Sequence, residues 1–444
     1  MESGAYGTTC ARVGCMPSKL LIAAADAAHA VASAPDFGVF AGAPNIDGRA
    51  VMERVRAERD RFVGFVLDGV ERIDPAHRLN GHAKFLAPDR LQVGDDTEVL
   101  AHSVVIASGS RPAIPDSLRE LGDRLIVNDD VFDWEDLPDS VAVIGTGVIG
   151  LELGQALARL GVRVAIFGRS GSLAQLRDAD VLREARDCLH AELDLRLHTT
   201  IVSAKRSNEH VTLHTRDADG KERTESYQFV LAATGRTPNV AGLGLEHTGL
   251  RLNQHGVPVH DPHTMRCGDS AIFIAGDVGE DRPLLHEAVD EGRIAGDNAA
   301  RYPLVVDGLR RAALSIAFTD PQIAVVGQSS STLTEQRYES GEVAFADQGR
   351  SRVMLQNRGL LKVYGEHGTH RFLGAEMIAP RGEHLAHLLA WACQNRMTVD
   401  QMLEMPFYHP VVEEGLRTAL RELKEKLARH VVPIEHCADC TPGR

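Results

Sequence analysis

An α/β fold spread over several domains is what this sequence predicts, and three observations predict it. Val141 to Ile144 reads as a strand, Gly145-Thr146-Gly147-Val148-Ile149-Gly150 as a turn opening a helix toward Leu160, and Val162 to Phe167 as a second strand. That order makes a βαβ unit whose glycine turn suits a dinucleotide pyrophosphate. At 444 residues the chain exceeds what one hydrophobic core supports, so two to four domains are expected. The texture changes near Ala313: strands follow, then a helix over 382–395 and an amphipathic helix over 411–429 with Leu416, Leu420, Leu423 and Leu427 on one face.

Composition narrows the function classes. Hydrophobic residues make up 43% and charged residues 25%, the mix of a globular protein in water. Net charge is -14, with Lys and Arg interleaved among acids. This argues against nucleic acid or an anionic membrane surface as partner. No apolar run approaches the ~20 residues of a membrane span. Glu2 and Arg12 interrupt any signal-like segment, so a cytoplasmic location is expected. Of seven cysteines, Cys188, Cys267 and Cys393 are isolated and read as buried small hydrophobes. Cys10 pairs with Cys15 and Cys437 with Cys440, spacings that suit redox or metal chemistry better than a structural framework.

In chain order, residues 17–34 begin at Pro17-Ser18 and continue through alanines as a helix. A charged amphipathic helix follows over 48–73. Val104 to Ala107 reads as a buried strand running into the small-residue turn Ser108-Gly109-Ser110. Residues 111–140, rich in Pro and Asp, read as a connection between domains.

The segment Thr9-Cys10-Ala11-Arg12-Val13-Gly14-Cys15-Met16-Pro17-Ser18-Lys19 carries the chemistry. Cysteines five apart on a regular helix are separated by ~7.5 Å of rise. A disulfide wants its Cα atoms within ~7 Å, so bonding needs a distorted turn, which Gly14 permits. Pro17 and the alanines after it put Cys15 near a helix N-terminus, where N–H groups stabilise a thiolate. Spacing alone leaves two free structural thiols equally open.

Cys-x-x-Val-Gly-Cys-x-Pro-Ser-Lys resembles the redox motif of the pyridine nucleotide–disulfide oxidoreductases, the family of dihydrolipoyl dehydrogenase, glutathione reductase and mercuric reductase. The resemblance runs from Tyr6 to about Leu427. It implies two dinucleotide-binding, Rossmann-like domains and a C-terminal α+β dimerisation domain, with FAD and NAD as cofactors. Cys15 would contact the flavin as the charge-transfer thiolate, and Cys10 would exchange with substrate. Lys19 would lie near the reactive flavin nitrogen and pair with Glu152. Arg12 stands where the family usually has Asn, and Met16 where Ile or Val is common.

Other motifs extend the resemblance. Gly145, Gly147 and Gly150 correspond to the nicotinamide site. After the second strand an Asp or Glu normally holds the ribose of NAD; here the position is Gly168, followed by Arg169. NAD is expected on family grounds, with NADP kept open because Arg169 suits a 2′-phosphate. Gly235 and Arg236, in Ala232-Ala233-Thr234-Gly235-Arg236-Thr237-Pro238-Asn239, match the turn closing the nicotinamide domain. Gly276 and Asp277 match the second flavin motif, in which Asp accepts from the ribityl chain, and Leu285-His286-Glu287-Ala288 follows near the ring. Thr9, Ser108, Gly109 and Ser110 are counted among the cofactor contacts.

The family's first flavin motif, a strand ending in Gly-x-Gly-x-x-Gly, should precede the cysteines, and only nine residues do. Roughly 30 residues of a βαβ unit are thus missing, which makes the FAD domain incomplete. Glu2 falls where the family keeps the acid for the flavin's adenosine ribose. The expectation is a misplaced start with the natural chain extending upstream; taken as written, FAD binding should be weak or lost.

Phe407-Tyr408-His409-Pro410-Val411-Val412-Glu413-Glu414 places a tunable base five residues before a carboxylate able to fix its tautomer. It resembles the family's His-Pro-x-x-x-Glu, in which the pair reaches the partner subunit's cysteines. The resemblance therefore implies a homodimer, His409 as base and Glu414 as its orienter. Gln322 replaces the usual Glu at the entry to the dimerisation domain.

The boundaries expected are 1–112 for the FAD domain, 113–255 for the nicotinamide domain, 256–312 for the central continuation of the FAD domain, 313–429 for dimerisation and 430–444 for a tail. That tail carries Cys437 and Cys440, a spacing that suits a second redox relay or half a zinc site; a tail without essential role is expected, and no metal site. The function expected is oxidation of a dihydrolipoyl-type dithiol, small or on a lipoyl domain, with reduction of NAD. A glutathione-like disulfide reductase and a flavin-free, non-catalytic dimer are the competing readings.

Overall fold

Ser140–Ile144 is apolar along almost its whole length and four of its five residues are buried, as a strand covered on both faces must be. In this computed structural model, which describes residues 1–333 and 338–429, the strand is central to a five-stranded parallel sheet. The order is Leu125–Ile126, Phe229–Ala232, Ser140–Ile144, Arg163–Phe167 and Asp194–Arg196. Gly145 leaves the strand at φ 123°, and the helix Val148–Arg159 follows. The expected βαβ unit is present.

The chain divides into two units, the first comprising Met1–Gly171 with Leu193–Arg311 and the second Ser172–Glu192 with Ala312–Arg444. In the first unit a further pair of parallel strands, Val104–Ile106 with Ile272–Ile274, underlies the helix Leu285–Arg301. The strand expected over Val104 to Ala107 ends one residue early, at Ile106, and the turn after it leads into Ser110–Pro112, which pairs with Arg236–Pro238. Gly109, at φ 68°, supplies the left-handed turn between the two pieces.

The cysteine helix, Cys15–Ser33, packs on the long helix Gly48–Glu71. Arginines of that long helix hold the connection that follows. Arg59 pairs with Asp133 at 2.5 Å and donates to the Phe132 carbonyl at 3.1 Å, and Arg49 reaches Asp136 at 3.2 Å.

The second unit is built on an antiparallel sheet in the order Leu314–Ala317, Gln322–Gly327, Phe372–Ala379, Leu360–Glu366 and Tyr338–Ala344. Leu416, Leu420, Leu423 and Leu427 are all buried in its core, as their spacing predicts. Their helix is Glu414–Arg429, beginning three residues after the expected start, because Glu414 turns its carboxylate back to the Val411 N–H at 3.2 Å. Gln322 accepts from the Glu383 N–H at 2.8 Å, so it caps the helix Gly382–Gln394 with an amide oxygen.

One charge sits inside this core. Glu376 is fully buried in a strand buried along its whole length. Its two oxygens accept from the backbone N–H groups of Arg177 (2.5 Å), Asp178 (2.9 Å) and Ser330 (2.8 Å) and from the Tyr364 hydroxyl (3.3 Å). A buried carboxylate is tolerable only when its lone pairs are satisfied in this way. Lys362, also buried, adds contacts to Asp180 at 2.5 Å and Asp178 at 3.2 Å. Glu376→Ala should therefore orphan four donors and cost about 3 kcal/mol of unfolding free energy. Urea unfolding measures this, and an unchanged midpoint would show that the carboxylate does not hold the segment around Arg177.

Candidate functional site

The redox segment folds as its glycine suggests. Thr9–Val13 forms one short helical turn, capped by the Thr8 hydroxyl, which accepts from the Ala11 N–H at 3.1 Å. Gly14 then breaks the path at φ -129° and ψ -116°, and the cysteine helix starts anew at Cys15. A methyl group at residue 14 would meet the Thr9 carbonyl oxygen at 3.0 Å, so the close return of the chain needs glycine. The break brings two sulfurs five residues apart into hydrogen-bonding contact, which one unbroken helix does not allow.

Both sulfurs are thiols in this structure, and they are not equivalent. The Cys10 S–H donates to Cys15, and Lys19 adds its positive charge; burial works the other way and is outweighed, so Cys15 is lowered to about 7. The same contact, with burial, pushes Cys10 far above the ordinary thiol range. Cys15, exposed at the first turn of its helix, is the thiolate, and Cys10 holds the proton.

Lys19 Nζ lies 2.7 Å from Glu152 Oε2. Glu152 is on the glycine-turn helix and almost fully buried, so this pair joins sulfur chemistry to the dinucleotide unit. One turn pair further along, Arg159 reaches Asp26 at 3.1 Å. Both pairs keep a separation of 133 residues. The two helices therefore run parallel and in register, with Cys15 level with Val148, the first residue of the glycine-turn helix. Sulfur pair and glycine turn thus stand at the same end of adjacent helices.

The three glycines of that turn have separate reasons. A Cβ on Gly145 would collide with the Ala233 carbonyl oxygen, and one on Gly150 with the Gly145 carbonyl oxygen. Gly147 meets nothing within 4 Å, which leaves its backbone open to a ligand.

A second cluster unites Ser108, Gly109, Ser110, Gly235, Arg236, Gly276 and Asp277. The Ser110 hydroxyl donates to Asp277 at 2.8 Å, Arg236 donates to that hydroxyl and to the Ser110 carbonyl at 2.7 Å each, and its guanidinium lies 3.9 Å from Asp277. The Ser108 hydroxyl donates to the Asn239 carbonyl at 2.7 Å, and the Asn239 N–H to the Gly109 carbonyl at 2.9 Å. Gly235 contributes its carbonyl to the Ala113 N–H at 2.9 Å. Asp277 is a carboxylate at a strand end and keeps accepting capacity, which fits a polyol chain such as the ribityl of FAD. Lys19 and the sulfur pair fit its ring end. The residues present thus suit the ring and ribityl parts of FAD.

Three residues were not evident from motifs. Glu291, buried on the helix Leu285–Arg301, accepts from the Gly276 N–H at 2.8 Å and lies 3.0 Å from Arg310; burial pushes its carboxyl upward. Asn128 donates to the Val13 carbonyl at 2.9 Å, steadying the redox turn. Burial pushes the Asp129 carboxyl up, and the charges of Arg236 and Arg12 pull it back, so this residue senses both clusters. Acids spaced along an otherwise ordinary helix were the available signal for Glu291; the other two had none.

Other expected residues stand apart. Glu2 accepts from the Gly4 N–H at 2.8 Å and bridges Asn80, while Thr9 is exposed in the short turn and Leu285 is exposed at its helix start. Arg169 is exposed after Gly168. A cavity of 640 Å³ lined by Lys84, Phe85, Arg111 and His255 contains none of the expected site residues. Cys437 and Cys440 lie outside the described residues.

In the second unit His409 Nδ1 lies 3.0 Å from Glu414 Oε1. Contact with His409 and the Val411 N–H holds the Glu414 carboxyl below the usual range, so it is ionised and accepts a hydrogen bond from Nδ1–H. His409 Nε2 is left as the basic atom, on a ring that is 81% exposed and open to an incoming thiol.

Comparison with known proteins agrees with these features. Residues 3–292 match the family described as pyridine nucleotide-disulphide oxidoreductase, and residues 314–420 match its dimerisation domain. The chain is 31% identical over 433 residues to mercuric reductase from Shigella flexneri, covering 94% of this chain and 75% of the relative. It is 29% identical over 434 residues to dihydrolipoyl dehydrogenase from Halobacterium salinarum, covering 94% and 89%. The solved structure of LpdA from Mycobacterium tuberculosis superposes with a TM-score of 0.82 at 25% identity, covering 95% of this chain and 92% of that one. The chain belongs to the pyridine nucleotide-disulphide oxidoreductases, a FAD-dependent family that couples a pyridine nucleotide to sulfur redox chemistry.

Proposed function

We propose that this protein is a homodimeric dithiol/disulfide oxidoreductase acting on a dihydrolipoyl-type dithiol through Cys10 and Cys15. The observation that carries the reading is the sulfur pair folded together by the break at Gly14, with Cys15 at the start of the helix that carries Lys19 and level with a dinucleotide turn. FAD, held by Lys19 and Asp277, would supply two-electron transfer between the sulfur pair and the nicotinamide.

The sulfur steps follow from the residues. A substrate thiolate attacks the Cys10 sulfur of the oxidised pair; the S–S bond breaks and Cys15 leaves as a thiolate, stabilised by Lys19 and the helix N-terminus. The substrate's second thiol gives its proton to His409 Nε2 of the partner subunit and attacks the mixed disulfide. That releases the oxidised substrate, and Cys10 recovers the proton from His409. Reduction of a disulfide is the same sequence reversed. Glu414 keeps the proton on Nδ1 throughout.

The His409–Glu414 pair favours thiol proton transfer over the handling of mercuric ion, although mercuric reductases are among the relatives. A disulfide reductase is the second reading, favoured by Gly168-Arg169 where an acid for NAD would stand. Turnover of lipoamide, glutathione disulfide and mercuric ion with NADH and NADPH distinguishes these readings. Turnover of dihydrolipoamide supports the proposal; flavin-loaded protein inert toward all dithiols and disulfides would refute it.

Two variants test the assigned roles. In the reduced chain, alkylation of Cys15 by iodoacetamide should rise with pH through a midpoint of about 7, because only the thiolate reacts. Lys19→Met should move that midpoint upward and slow the reaction at pH 6.5 by about threefold to tenfold; an unmoved midpoint contradicts the charge assignment. His409→Ala should lower the turnover of dihydrolipoamide by about a hundredfold or more while leaving the alkylation profile of Cys15 as it was. Equal turnover in the two proteins would remove His409 from the mechanism.

A further inference from the structure

Away from the sulfur pair, the first unit holds a cavity of 640 Å³ that none of the chemistry above uses. Its volume falls in the ~300–1,000 Å³ range of small-molecule sites. The strand Ala83–Ala87 and the chain over 240–256 form most of its wall. The Phe85 N–H donates to the Leu243 carbonyl at 2.7 Å, and His82 Nε2 lies 3.0 Å from the Gly242 carbonyl. At Gly244, with φ 69°, an added Cβ would collide with the Phe85 carbonyl oxygen. The close approach needs glycine, and it fixes the wall before any ligand arrives.

Charge in this cavity runs against the rest of the molecule. Lys84, Arg111, His247 and His255 line it, and Glu246 is the only carboxylate among the described lining residues. Lys84 and Arg111 are exposed, and among the described residues neither forms an ion pair with a carboxylate. The net charge of the chain is -14, so two unneutralised cations on one concave surface are unusual here. Arg111 is anchored: its Nη1 donates to the Pro238 carbonyl at 3.2 Å and to Asn239 Oδ1 at 3.0 Å. Its other guanidinium N–H groups remain to donate. His255 is held by Glu280, 2.9 Å from Nδ1. Beside these bases the lining is apolar, with Phe85 and Leu245 buried and Leu252 exposed.

We propose that this cavity binds a small organic carboxylate, with its apolar body against Phe85, Leu245 and Leu252 and its charged head on Lys84 and Arg111. A guanidinium and an ammonium together suit a carboxylate head, and removal of the body from water supplies the remaining affinity. The cavity shares no lining residue with the sulfur pair or the glycine turn, so this binding site is additional to the oxidoreductase reading and does not depend on it.

Calorimetry on the full chain at neutral pH tests this with phenylbutyrate and phenylbutylamine, which share an apolar body and carry opposite charges. Phenylbutyrate should bind at one site per chain and about tenfold more tightly than the amine. Lys84→Gln should weaken phenylbutyrate by about threefold to tenfold without weakening the amine, and Arg111→Gln should do the same. Lys84→Arg, which keeps the charge, should bind as the unaltered chain does. Lys84 has no ion pair to lose among the described residues, so its variants should keep the thermal midpoint of the unaltered chain. Inorganic phosphate, a head without a body, should compete only at about a hundredfold higher concentration. Absence of saturable binding, equal affinity for acid and amine, unchanged affinity in both Gln variants, or phosphate competing as well as phenylbutyrate overturns the proposal. None of these measurements needs flavin or turnover, so the dithiol chemistry can stand or fall separately.

Discussion

The contact between Lys19 and Glu152, 2.7 Å long and half sunk in the protein, is what the first unit's chemistry depends on. A buried carboxylate without a partner is costly, and a cation beside a sulfur is what a thiolate needs. One ammonium answers both demands. Because the Asp26–Arg159 pair repeats the same residue separation one turn pair along, the alignment of the two helices is discrete. A slip by one turn would break both contacts, so neighbouring registers are disfavoured.

Around that axis the site is assembled from backbone turns that only glycine or small residues make. Gly14 folds the redox turn back on itself, and Gly145 and Gly150 press the dinucleotide turn against its strand. Ser110, Arg236 and Asp277 come from three separated segments and meet through the antiparallel pairing of Ser110–Pro112 with Arg236–Pro238. The scaffold is close-packed at Gly145 and Gly150 and open at Gly147, while the His409 ring is exposed.

Much of this was legible in the sequence, for identifiable reasons. The βαβ unit announced itself because strand, glycine turn and helix are local in sequence, and the leucines of the last helix because their period is helical. The redox pair was legible in part: spacing showed that a distortion was required, but the unequal sulfurs emerged only when the S–H to thiolate contact was formed. Glu376 was missed although it interrupts an apolar strand, since its partners Arg177 and Ser330 lie far away in sequence. The supporting role of Glu291 beneath Gly276 was hidden similarly, by a helix that folds back beneath a strand end. Local pattern reveals elements and motifs; groups that meet only after folding escape it.

The low proton affinity of Cys15 also bears on how the protein survives its own reactivity. A sulfur anion attacks peroxides and other soft oxidants, and past the sulfenic stage the damage to a cysteine is largely irreversible. With Cys10 in contact, an oxidised Cys15 can be resolved into a disulfide, which the normal cycle then reduces. The neighbour that tunes the thiolate is thus also its safeguard, and a chain lacking Cys10 would lose the partner that turns a sulfenic acid into a disulfide before it is oxidised further.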